Sequence, residues 1–76
     1  MRTAVYAGSF DPPTNGHLWM IESGLDMFDR LIVAVGQNPA KNYSFSISER
    51  LEMLQASTPK TEQLLITHFD NRYLVD

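Results

Sequence analysis

The stretch richest in possible chemistry runs Gly8-Ser9-Phe10-Asp11-Pro12-Pro13-Thr14-Asn15-Gly16-His17. It fills the turn between an apolar run and the start of an amphipathic segment, and in open α/β sheets ligands bind at such strand-to-helix turns. Gly8 permits unusual backbone angles or close approach of a ligand, and Gly16 puts no Cβ in the way at the helix start. The first turn of a helix offers unpaired N–H donors and a partial positive charge, to which His17 adds a side-chain donor. Together these groups can stabilise charge on a phosphate. The same Asp-Pro-Pro-Thr-Asn-Gly order also suits an ordinary tight turn, and a lone histidine at a helix start is more often a surface residue than a catalyst.

Two further residues complete the candidate set. Lys41 lies in the polar loop Asn38-Pro39-Ala40-Lys41, where a lysine is normally a solvated charge. Adjacent parallel strands, however, open their carboxyl ends on one side of the sheet, so Lys41 can face the Ser9 to His17 loop across a crevice and orient a phosphate. Asp11 is a conceivable metal ligand, but a single carboxylate before a proline is more often a turn or cap residue, and no second carboxylate has ligand spacing with it. No protein metal shell is assigned. His68 has no identifiable partner, and Trp19, Met20, Met27 and Met53 read as packing or interface residues on helices.

The elements that must hold these residues follow from periodicity. Thr3 to Ala7 reads as a buried first strand ending at Gly8. Leu18, Ile21, Leu25 and Phe28 recur at spacings that make one face of a helix, with Asn15 or Thr14 as its cap. Leu31 to Val35 is a second buried strand, closed by Gly36-Gln37-Asn38-Pro39. Ser46 with Glu49 is a capping box, and Ile47, Leu51 and Leu54 carry a second helix towards Thr58-Pro59. Leu64 to Phe69 predicts a third strand, and Tyr73 to Asp76 the opening of a third helix. The order β-α-β-α-β predicts an α/β fold with right-handed crossovers and a parallel, Rossmann-like sheet. No linker or repeat divides residues 1–76.

Composition narrows the function classes. The 76 residues carry a net charge of -3 with six scattered Lys and Arg residues, so the basic stripe of a nucleic-acid binder is missing. There is no cysteine, which removes disulfides, thiolate-zinc sites and thiol nucleophiles. No segment approaches membrane-spanning length and the N-terminus has no apolar run suited to a signal peptide, so a cytoplasmic location and no membrane partner are expected.

Gly8-Ser9-Phe10-Asp11-Pro12 followed by Thr14-Asn15-Gly16-His17 resembles the signature of nucleotidylyltransferases with a His-x-Gly-His motif. The Thr-Asn-Gly-His version is similar to that of the bacterial phosphopantetheine adenylyltransferase family. The resemblance runs on through Phe28-Asp29, the second strand, Asn38-Pro39-Ala40-Lys41, the Phe45 to Leu51 segment with Glu49-Arg50, and Leu74-Val75-Asp76. Ser9 stands where threonine is also usual and Ala7 replaces a common proline; neither departure removes chemistry.

The resemblance implies an adenylyltransferase that moves AMP from ATP to 4′-phosphopantetheine, giving dephospho-coenzyme A and pyrophosphate, with magnesium carried in on ATP. It implies that Ser9 and Phe10 lie against ATP, with Ser9 also near the acceptor's phosphate. His17 would contact the ATP phosphates in the transition state, Lys41 would hold the acceptor phosphate, and Leu74 would touch the pantetheine arm through its backbone. A related nucleotidylyltransferase using another acceptor or CTP, and a nucleotide-binding fragment without turnover, are the alternatives. The resemblance also implies that the chain matches the N-terminal half of a single domain whose first strand is central. An exposed first-strand edge and a homo-oligomer or swapped assembly are therefore expected.

Overall fold

The computed structural model describes residues 1–38 and 40–70. Its elements are β1 (Thr3–Gly8), α1 (Asn15–Met27), β2 (Arg30–Gln37), α2 (Ile47–Ser57) and β3 (Leu64–Asp70). The expected order β-α-β-α-β is therefore present, and the strands form one parallel sheet ordered β1-β2-β3. Val5 faces Ile32 across the first pair, and Ile32 faces Leu65 across the second.

With strands in sequence order and right-handed crossovers, both helices fall on one face of the sheet. The core shows this. Ile21 of α1 and Leu54 of α2 join a single buried cluster with Leu31, Val33 and Val35, the alternate residues of β2. α1 can approach β2 closely because Gly24 lacks a side chain: a Cβ there would come within 3.0 Å of the Leu31 side chain. Phe28 caps α1 at its carboxyl end, its N–H donating to the Gly24 carbonyl. The Asp29 carboxylate then accepts from the Arg2 N–H at 2.7 Å, while the amides of Asp29 and Arg30 donate to the Arg2 carbonyl. These three bonds tie the start of β1 to the α1–β2 turn.

The one-sided packing corrects one expectation. β1 is not buried throughout but alternates along its length, with Thr3, Val5 and Ala7 exposed and Ala4, Tyr6 and Gly8 half-covered. Its apolar run resembles that of a strand covered on both faces, but among the described residues both helices pack against one face of the sheet. On the opposite face Val5 is 65% and Leu65 53% exposed. Among the described residues β1 pairs with β2 alone. The segment from Tyr73 to Asp76, read as a helix start, lies outside the described residues.

Candidate functional site

The β1–α1 loop ends in an unusual capping box. Thr14 is the N-cap of α1, in extended conformation, and His17 occupies the third helical position, where Glu or Gln normally closes such a box. The His17 N–H donates to Thr14 Oγ1 at 3.3 Å, and the Thr14 N–H donates to His17 Nδ1 at 2.9 Å. A main-chain N–H can only donate, so Nδ1 accepts and the neutral ring carries its proton on Nε2. The helix cap therefore selects the tautomer and leaves Nε2–H as the donor available to a ligand.

Beneath His17 lies Phe10, with ring centroids 4.8 Å apart, and Phe10 in turn meets Tyr6 edge-on at 5.4 Å. Phe10 is 1% exposed, and its ring is part of the buried core. Among the described residues it is also the non-glycine residue of positive φ, at 51°. That conformation costs about 1–3 kcal/mol and persists only where surrounding contacts enforce it. Of the two uses open to Gly8, the unusual backbone angle is carried by Phe10. Gly8 serves by close approach instead, since a Cβ there would sit 3.2 Å from the Phe10 ring. At Gly16 a Cβ would meet only Thr14 Oγ1, at 3.6 Å, so the protein's own packing does not require glycine there.

The second half of the site is the loop after β2. Asn38 organises it: its carbonyl accepts from Lys41 N–H, its Oδ1 accepts from Ala40 N–H, and its own N–H donates to the Tyr43 hydroxyl at 2.8 Å. Lys41 is exposed at the end of this turn. At the carboxyl ends of the strands, Ala7, Gly8, Ser9, Gly36, Lys41, Tyr43 and Phe69 line one cleft of about 320 Å³. Ser9 and Lys41, placed on one crevice by sequence reasoning, do share it. Lys41 also borders a neighbouring hollow of about 450 Å³ with Gln37, Phe45 and Arg50. His17 lies outside both linings and is joined to them through Phe10 and the loop. Leu74 lies outside the described residues.

Asp11 is a clasp between the two loops. Its carboxylate oxygens accept from the amides of Ser44 at 2.7 Å and Phe45 at 2.8 Å. Charge-assisted bonds of this kind are short and strong. Both oxygens are spoken for, and among the described residues no group of three or more His, Asp and Glu side chains could hold a metal ion.

Arg50 is the residue that sequence reasoning left without a role. It is fully buried, 0% exposed, on the inward face of α2. Its Nη1 donates to the carbonyls of Ser9 at 2.9 Å and Gly36 at 3.2 Å, its Nε to those of Phe45 and Ser46, and its Nη2 to Gln37 Oε1. The guanidinium stacks 4.2 Å over the Tyr43 ring. A signal was present in the sequence: Ile47, Arg50, Leu51 and Leu54 share one helical stripe, so a charge stands in a core register. A roomier hollow of about 520 Å³, lined by residues such as Thr58, Leu64 and Ile66, lies towards the amino end of β3. Its one cation, Lys60, is taken by the Gln55 carbonyl at 2.7 Å. It shares no lining residue with the Ser9 and Lys41 cleft.

A cytidylyltransferase-like family model matches residues 5–73. A phosphopantetheine adenylyltransferase of Chromobacterium violaceum is 53% identical over all of this chain, which covers 46% of that relative. One of Neisseria meningitidis serogroup C is 53% identical over 97% of this chain and 44% of its own length. One of Desulfatibacillum aliphaticivorans is 58% identical over 80% of this chain and 37% of its own. The chain thus spans under half the length of these curated relatives.

Proposed function

Because the chain belongs to the cytidylyltransferase-like family, we propose that it is the phosphate-gripping part of an adenylyltransferase that moves AMP from ATP to 4′-phosphopantetheine. The observation that carries this reading is the meeting of Ser9 and Lys41 on one cleft beside a helix start whose cap leaves His17 Nε2–H as a donor. The names of the similar proteins support the acceptor.

In this mechanism an oxygen of the acceptor phosphate attacks the α-phosphorus of ATP. The bond from that phosphorus to the bridging oxygen breaks, and pyrophosphate leaves in line with no covalent enzyme intermediate. Such a reaction needs positioning and charge stabilisation rather than a nucleophile. Lys41 holds the acceptor phosphate, Ser9 supplies a hydroxyl near it, and His17 donates to phosphate oxygens as negative charge shifts towards the leaving group. Magnesium neutralises phosphate charge when it is bound. The donor set does not suit a protein-held ion, because Asp11 spends both oxygens on loop amides, so the ion is proposed to enter on ATP.

The test is pyrophosphate release from ATP with and without 4′-phosphopantetheine, by the 76-residue chain and by a form extended past Asp76. Acceptor-dependent release is the expected result. ATP binding without release by the shorter form alone would make it a nucleotide-binding portion, and silence from both forms would sink the acceptor assignment. Release with CTP or another acceptor instead would move the protein elsewhere in the family.

A cytoplasmic location belongs to the same reading; among the described residues no helix is long and apolar enough to cross a membrane. So does self-association. Val5 on the edge strand β1 and Leu65 on β3, both exposed on the face away from the helices, favour pairing between copies of the 76-residue chain. Sedimentation should show mass rising with concentration, and Val5→Lys should suppress the rise. A monomer at every concentration would refute the association.

A further inference from the structure

We propose that Arg50 is a positioning residue that sets the Ser9–Phe10 peptide so that the Phe10 N–H is offered to a phosphate of the nucleotide, while it fixes the Lys41 loop in the same frame. The inference rests on the adenylyl-transfer reading for its ligand and on independent geometry for its action. In a planar trans peptide the carbonyl and the next N–H point in opposite directions. The Ser9 carbonyl is drawn inward to Arg50 Nη1 at 2.9 Å. The Phe10 N–H is therefore turned away from the guanidinium, and the turn is completed by the φ of 51° at Phe10. Among the described residues no hydrogen bond reaches that N–H.

The other contacts of Arg50 belong to the acceptor side. Phe45 is held from both directions, its N–H by the Asp11 carboxylate and its carbonyl by Arg50 Nε at 3.1 Å. Gln37 and Tyr43 flank the Asn38 turn that ends at Lys41, and both touch the guanidinium. One buried cation thereby joins the end of β1, the end of β2 and the 43–46 segment. A planar fork with five N–H donors can serve several carbonyls at fixed angles, which an ammonium cannot. An apolar residue of similar volume would fill the space but would leave these buried carbonyls without a donor. The carbonyl network therefore accounts for an arginine where packing alone does not.

The experiment compares the 76-residue chain with Arg50→Met and Arg50→Lys, each labelled with ¹⁵N. Without ligand, the parent should show the strong intraresidue Hα–HN Overhauser effect of a left-handed residue at Phe10. Arg50→Met should keep its helical circular dichroism yet lose that signature, and Arg50→Lys should retain part of it. On adding ATP, the Phe10 amide of the parent should shift with the His17 amide, and in Arg50→Met the Phe10 response should fall at least severalfold. In a form that turns over, Arg50→Met should lower kcat more than it raises KM for ATP.

A folded Arg50→Met that keeps the Phe10 signature and the Phe10 response would overturn the proposal. So would a parent in which ATP shifts His17 but not Phe10, an outcome that also decides the matter if neither variant folds. ATP that shifts no amide would instead sink the nucleotide reading, and the Overhauser comparison would still judge what Arg50 does to the peptide.

Discussion

His17→Ala is expected to slow adenylyl transfer by about two to three orders of magnitude, the loss that follows removal of one preorganised donor to a developing charge. The effect should fall on kcat, with KM for ATP little changed, because Nε2–H matters most when charge moves onto the leaving pyrophosphate. Alanine also removes the acceptor of the Thr14 N–H, so a stability loss of about 0.5–2 kcal/mol should accompany it. His17→Gln separates the two effects. Glutamine suits the third position of a capping box and should hold the melting temperature, yet its amide does not reproduce the imidazole donor. Initial pyrophosphate release and thermal melts, measured on the shortest form that turns over, check both. A folded His17→Ala with the parent rate would remove His17 from the chemistry.

Lys41→Ala is expected to lower kcat/KM for 4′-phosphopantetheine by about ten- to a hundredfold, the range for losing a hydrogen bond to a charged partner. Stability should hold, since the ammonium is exposed and the turn rests on Asn38 and Tyr43 instead. Lys41→Arg should recover part of the loss, because charge survives while the compact ammonium geometry does not. Rates with acceptor varied at saturating ATP, beside rates with ATP varied, give the answer. An equal fall for both substrates would place Lys41 on the nucleotide, and no fall would return it to the solvated surface.

The alternation of elements was plain in the sequence because apolar runs and helical stripes are local signals. Ser46 and Glu49 announced α2 through a capping box that the structure contains, with Ser46 N–H donating to Glu49 and Glu49 N–H to Ser46. The matching box at α1 stayed hidden because histidine stands where an acid or amide is usual. Partial coverage of β1 could not be read from Thr3 to Ala7, since it depends on both crossovers landing on one face. Gly8 drew attention as the flexible point, yet the strained angle fell on Phe10, whose ring burial holds it there. The joint placement of Ser9 and Lys41 was legible because strand ends in a parallel sheet open together. Arg50 was legible as a charge out of register, but its partners lie as far away as Ser9, and no local pattern names them.

Each strand pairs with the strand next to it in sequence, β1 with β2 and β2 with β3. Among the described strands, each pairing therefore joins neighbours in sequence, which keeps the loop-closure entropy of both steps small. The two loops of the site come from residues 8–17 and 37–46, and their clasp closes when Arg50 docks. A chain leaving the ribosome would thus complete its phosphate grip as α2 settles, with β3 still to be added.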